Sequence, residues 1–149
     1  MAAPRRRPRY AVVGVAMLLL TAAQAHHSAA MFDLKQCKSL SGTVRAVEWN
    51  YPHSWLWLNV NNGTGTTDAW GFESGSPAEL MRIPGWSRTL VKPGDKLTVT
   101  YSPMRDGRKG GQLSELKLPD GRSIVGGAGF ACNGATLSLE RRKALGLVP

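Results

Sequence analysis

Histidine is scarce in this chain of 149 residues, and its three copies stand where a metal could use them. His26 and His27 are adjacent and follow Ala23-Gln24-Ala25, a small-x-small run of the kind a signal peptidase cuts. Cleavage after Ala25 would make His26 the first residue and set a free α-amine beside its imidazole. An α-amine titrates near ~7.7–8.0 and an imidazole near ~6.5, so both can act as neutral nitrogen ligands around neutral pH. Together they can close a chelate on one metal, and a second imidazole, from His53 or His27, would complete the planar nitrogen set that Cu(II) favours. The expected metal site is therefore His26, His27 and His53, with copper as the cofactor. Asp33, Glu48 and Glu73 are the acids that could orient a ligating ring. The plainer alternative is that His26 and His27 open a solvated terminus, that His53 hydrogen-bonds its own turn, and that the acids end strands or pair at the surface.

The tryptophans point to a second chemistry. There are five, at positions 49, 55, 57, 70 and 86. In Ser54-Trp-Leu-Trp-Leu-Asn-Val60 the period-2 alternation puts Leu56, Leu58 and Val60 on one face and Trp55 and Trp57 on the other. Only one of those faces can line a barrel. Large aromatics usually supply core area, which places the rings inside and the aliphatics beneath a helix or tail. In the other arrangement Trp55, Trp57 and Trp70 form an aromatic face for a glycan, a peptide or a partner protein. Catalysis has less to stand on: there is no nucleophile elbow, phosphate loop or HExxH helix, and no pair of carboxylates whose convergence the spacing fixes. The chain reads as a binding protein rather than an enzyme.

Compartment follows from the first 25 residues. Arg5, Arg6, Arg7 and Arg9 precede the apolar run Ala11–Leu20, and the small-residue site follows, so residues 1–25 read as a signal peptide for periplasmic or secreted export. The apolar run is shorter than the ~20 residues a membrane helix needs, so no span is expected after cleavage. Four of the 19 basic residues lie in this segment, leaving 15 against 10 acidic ones after it. That balance does not call for nucleic acid as a partner. Arg105–Lys109 and Arg141–Lys143 read as solvated clusters. Two cysteines, Cys37 and Cys132, lie near the two ends of the exported part, and an even pair in an oxidising compartment reads as a disulfide.

The elements that must position these groups are mostly strands. The sequence predicts an irregular lead-in over 26–38 and a strand over Leu40–Trp49, its alternation interrupted as at a bulge near Ala46-Val47. A turn at Asn50–His53 leads to a strand over Ser54–Val60, and a hairpin turn at Asn61–Gly65 to a strand over Thr67–Glu73. Ser76-Pro77-Ala78-Glu79 has the form of a capping box and starts a short helix. Strands over Asp95–Ser102 and Leu113–Leu118 follow, then a short one over Ser123–Val125, then a tail over 126–149 with a short helix near Thr136–Leu145. Three strands, a helix and two or three further strands predict an all-β domain over 39–125, an OB-fold-like small β-barrel. A β-sandwich is the alternative.

Several of these stretches also resemble a known family. They are His26-His-Ser28, Phe32-Asp33, Leu40–Val44, Glu48-Trp49, Asn50–His53, Trp70, Glu73, Gly75–Pro77, Gly85-Trp86, Lys92–Asp95 and Leu118–Gly121, in that order. The chain resembles the bacterial exported family DUF6152 over roughly residues 26–125, departing from it where Tyr51 interrupts an Asn-Pro-His run. The resemblance implies a small β-barrel outside the cytoplasm and supplies no established activity.

Overall fold

The structure is a computed structural model that describes residues 27–127 together with Cys132 and Lys143. One helical turn, α1 (His27–Ala30), closes an N-terminal unit that ends at Ala30; a second unit begins at Met31 and contains every strand.

The strands are β1 (Lys38–Glu48), β2 (Trp55–Asn61), β3 (Thr67–Glu73), β4 (Lys96–Pro103), β5 (Gly110–Lys117) and β6 (Ser123–Val125); a second helical turn, α2 (Pro77–Leu80), lies between β3 and β4. They form one sheet in the order β3-β2-β1-β4-β5-β6. A parallel pairing of β3 with β5 (Gly71↔Gly110, Phe72↔Gly111, Glu73↔Gln112) closes the first five into a barrel. All-β small-barrel architecture is what the alternation predicts, and the closure decides for the barrel over the sandwich. The order, with the helix between the third and fourth strands, is that of the OB-fold. Closure needs glycine. Gly110 has φ 149°, and a Cβ there would run into the Gly71 carbonyl.

The core follows from the strand period. Leu56, Leu58, Phe72, Val99, Tyr101, Leu113 and Leu116 point inward and are buried, joined by Leu80 of α2 and by Ile83 and Val91 after it. β1 carries the expected bulge, with Val44 opposite Leu58 and Ala46 opposite Trp57, so Arg45 is the extra residue. That residue lets both Val44 and Val47 face the interior although they are three apart. The expected helix start is observed in its main feature: the Ser76 hydroxyl accepts from the Glu79 N–H at 3.2 Å, with Pro77 at the first position. The Tyr51–Pro52 peptide bond is cis.

One difference from the sequence reading stands out, while the expected cystine is present. The lead-in is not loose throughout: Phe32 is fully buried and bridges Met104, while the Asp33 N–H reaches the Pro103 carbonyl at 2.8 Å and the Arg105 N–H reaches that of Met31 at 2.9 Å. An isolated aromatic in an aperiodic stretch leaves no pattern to read, yet burying it contributes roughly 1.5–3 kcal/mol. Cys37 and Cys132 are joined as a disulfide, Cα to Cα 5.1 Å, across 95 residues. The tail helix near Thr136–Leu145 lies outside the described residues.

Candidate functional site

β2 decides the matter of the two faces. Leu56 and Leu58 fill the interior, and Trp55 and Trp57 stand half-buried on the outside of the barrel. The expectation that the rings fill the barrel is therefore corrected for these two. The interior of a small barrel has little room, and Leu56 and Leu58 take it beside Val47, Val44, Phe72 and Trp70, their register partners on the neighbouring strands β1 and β3. The outer rings stack on each other, centroids 5.9 Å apart and planes 21° from parallel.

Trp70 does not join them. It lies opposite Leu58 on the inner face, stacks on Phe72 at 6.4 Å and meets Tyr101 edge-on at 6.2 Å. Trp49 and Trp86 pack as a T at 6.1 Å, with the Arg88 guanidinium 5.2 Å above the Trp49 ring. Trp86 is pinned there by its indole N–H, which donates to the Val125 carbonyl at 2.7 Å. The five tryptophans thus have three separate duties, and only Trp55 and Trp57 face outward from the sheet together.

Beside that pair lies a cleft of ≈ 550 Å³. Trp55, Trp57, Ala69 and Gly71 make its floor; Glu48 of β1 stands at one side, and Met104, Arg108 and Lys109 come from the β4–β5 loop. The volume falls within the ~300–1,000 Å³ typical of small-ligand sites. Gly71 is what lets the floor lie low. It pairs with Trp57 across the strands, and a Cβ on it would sit 2.7 Å from Cζ3 of that ring. The Trp57 indole nitrogen is buried there with no hydrogen-bond partner.

The cations at the cleft are held in place by acids. Arg108 Nε donates to Asp106 at 2.6 Å, and Lys109 Nζ lies 2.6 Å from Asp68. Asp106 also accepts from the Arg108 backbone N–H, which holds its carboxyl below the usual aspartate range. Both cation side chains remain exposed, at 63% and 52%. Sequence reasoning read Arg105–Lys109 as a solvated cluster and passed over Met104 and Gly71 as site residues. Loop residues have no period to betray a shared face. Gly71 was accessible in principle, since the short β2–β3 turn sets Trp57 opposite it.

At the other side of Trp55 is a buried carboxylate. Register aligns Glu48, Trp55 and Glu73 across β1, β2 and β3. Glu73 is 7% exposed, and its Oε1 lies 3.6 Å from Nδ1 of His53, itself 37% exposed. Burial pushes the Glu73 carboxyl up from its ordinary value, and the neighbouring His53 opposes the rise. Close by in sequence, Ser54 is buried with its hydroxyl unpartnered, and the Gln112 carbonyl, in register with Glu73, is likewise buried without a partner.

The expected metal ligands are not assembled by what is described. His26 lies outside the described residues; His27 begins α1, and only its backbone is described. Among the described residues no three His, Cys, Asp or Glu side chains converge. Among the described residues, Glu73 alone of the acids named as possible ring-orienting partners meets a histidine. Glu48 accepts from Asn50 at 3.5 Å, and Asp33 accepts from Gln36 at 2.7 Å. No described helix is long and apolar enough to cross a membrane.

Closed strand order and an external aromatic cleft define a small β-barrel of OB type with a concave outer face. The chain belongs to the family of unknown function DUF6152, whose family model matches residues 14–114. The match begins inside the apolar N-terminal run and ends within β5. No curated protein and no solved structure matches the chain.

Proposed function

We propose that this protein is a non-catalytic ligand-binding module of the cell envelope, exported by cleavage after Ala25, and that its ligand seats on Trp55 and Trp57. The observation that carries the reading is the outward stacked pair above Gly71, beside a cleft of ≈ 550 Å³, while Leu56 and Leu58 supply the core. A half-buried stacked indole pair on the outer face of a barrel is apolar surface that a ligand can cover. OB-type barrels bind oligosaccharides and oligonucleotides on the face of strands 2 and 3, and the cleft lies on that face between the end of β1 and the β4–β5 loop. Export draws support from the arginine-led apolar run and the Cys37–Cys132 bond.

The test uses the mature protein on a glycan and peptide array, with Trp55→Ala and Trp57→Ala beside it. Binding of an arrayed ligand that weakens by about tenfold or more in either variant, a loss of about 1.4 kcal/mol, is the expected result. Binding that is the same in all three proteins, or an array with no ligand at all, overturns the reading. Mass spectrometry of the secreted protein checks the cut: a mature chain that does not start at His26 overturns that part.

A copper-binding reading has one observation in its favour. A carboxylate beside Nδ1 of His53 is the arrangement that orients a metal-binding imidazole. It requires the His26 amine and ring to join His53. Cu(II) affinity measured for the mature protein and for His26→Ala and His53→Ala decides it. Unchanged affinity in His53→Ala excludes His53 from the site.

A further inference from the structure

We infer that the ligand of the Trp55–Trp57 cleft is an acidic glycan, a chain of uronate sugars, whose ring lies on the indoles and whose carboxylate is taken by Arg108 and Lys109. This rests on the ligand-binding reading above and adds the chemical class.

The strand pairing removes the first competitor. β2 is paired on both edges, with β1 and β3, and β3 is paired with β2 and β5. An extended peptide recognised by strand addition needs a free edge; among the described residues β2 has none, and β3 leaves only the four residues Thr67–Trp70 without a partner on its outer edge, where Lys109 is already tied to Asp68. Nucleic acid needs a cationic groove that follows many phosphates. Here two cations face one acid, Glu48, across the cleft. A pyranose ring suits the floor instead. It offers a flat C–H face to an indole and hydroxyls at its rim, where Glu48 can accept.

The cations specify the acid. Among the described residues the Arg108 guanidinium is bonded to Asp106 through Nε alone, and a guanidinium has five donors. Lys109 has one carboxylate partner among the described residues, Asp68, and three donors. Each is therefore fixed in position by one bond and keeps donors for a second acceptor. A planar carboxylate matches the remaining fork of Arg108. It also carries a single negative charge, which Glu48 on the opposite side repels less than the double charge of a phosphate monoester. Both cations come from the loop that follows β4, and the Gly71 N–H is bonded to the Lys109 carbonyl at 3.2 Å. The same short stretch thus fixes the cations and the glycine under Trp57 relative to each other.

The experiment titrates the mature protein with hexameric oligouronates (mannuronate, glucuronate and galacturonate) and with each one's carboxyl-reduced neutral counterpart. Wild type, Trp57→Ala and the double variant Arg108→Gln/Lys109→Gln are compared, following tryptophan emission and heat. The expected result is that at least one oligouronate binds about tenfold or more tighter than its reduced form. That preference should shrink as salt rises. It should vanish in Arg108→Gln/Lys109→Gln, while Trp57→Ala weakens both forms. Melting temperatures report that each variant is folded; the double variant replaces exposed side chains only. Equal binding of acid and reduced forms, both lost in Trp57→Ala, overturns the uronate assignment and leaves the cleft reading intact. Tighter binding of a phosphorylated hexasaccharide than of every oligouronate also overturns it. Binding of neither form overturns the assignment, and the array above then decides separately whether the cleft binds anything.

Discussion

Gly71→Ala should act on this barrel almost wholly through Trp57. The added methyl would lie 2.7 Å from Cζ3, 2.9 Å from Cη2 and 3.1 Å from Cε3 of that ring, and no other side chain is among its three nearest atoms. Relieving such an overlap costs about 1–3 kcal/mol in a packed site. Alanine also restricts the unfolded chain more than glycine does, which offsets ~0.4–1 kcal/mol. A net loss of about 1–2 kcal/mol is expected, a fall in Tm of about 3–5 °C for each kcal/mol in a domain of this size. The decisive comparison is a double-mutant cycle. In a Trp57→Ala background those three closest contacts are gone, so Gly71→Ala should cost nothing or stabilise by a few tenths of a kcal/mol up to ~1. Urea unfolding of the four proteins gives the coupling, expected at about 1–3 kcal/mol with a sign showing that the two residues compete for one place. The emission of Trp57 should shift in the single variant as the ring lifts into solvent. If Gly71→Ala costs the same with and without the indole, the ring does not lie on Gly71, and the low floor of the cleft is wrong.

Three further outcomes follow from other parts of the molecule. Glu73 is held above its ordinary value of 4.5 by burial, so the folded state binds its proton more tightly than the unfolded chain does. Stability should therefore fall as pH rises from about that value through the raised one, and Glu73→Gln should flatten the fall, read as Tm against pH; an unchanged slope would refute the assignment. Ser76→Ala removes the acceptor of the Glu79 N–H and should cost about 0.5–2 kcal/mol in urea unfolding. Opening the Cys37–Cys132 bond, by reduction or by replacing both cysteines with serine, releases a loop spanning 95 residues and should cost up to about 4–5 kcal/mol in the chain-entropy account, seen as a large drop in Tm.

Much of the barrel was legible because strands announce themselves by period. The spans of β2, β3 and β4 agree with their alternation to within a residue or two, and Leu97, Val99 and Tyr101 are buried as their spacing requires. The helix start was legible because capping is local chemistry among Ser76, Pro77 and Glu79. The bulge fell within two residues of its expected place. The orientation of β2 was not legible. Alternation separates Trp55 and Trp57 from Leu56 and Leu58 but is silent on which set faces in. That choice depends on the narrow space left by Val44, Phe72 and Val99, which come from three other strands. The cleft was half legible for the same reason. Its aromatic half lies on a periodic strand and could be named; Met104, Arg108 and Lys109 lie on a loop that only the closing of β5 onto β3 brings alongside. His26 and His27 stand apart from this. Their chemistry depends on where the chain is cut, and the barrel neither requires nor forbids it.

The cystine has a consequence for the way the chain is threaded. Cys37 immediately precedes β1 and Cys132 follows β6, so the bond makes a covalent ring that contains every strand. The exposed turn between β2 and β3, Asn62–Thr66, lies about a quarter of the way round that ring from Cys37. A protease cut there would yield two fragments under reducing conditions and a single unbroken molecule otherwise. The same turn is a natural place for new chain ends. A permuted chain that starts and finishes beside Gly63 or Gly65, with its old ends joined by a peptide linker and the disulfide kept, would retain all six strand pairings, the β3–β5 closure included. Such a molecule would lack any segment ahead of the first strand of the cleft, and would present the ligand face at its own terminus.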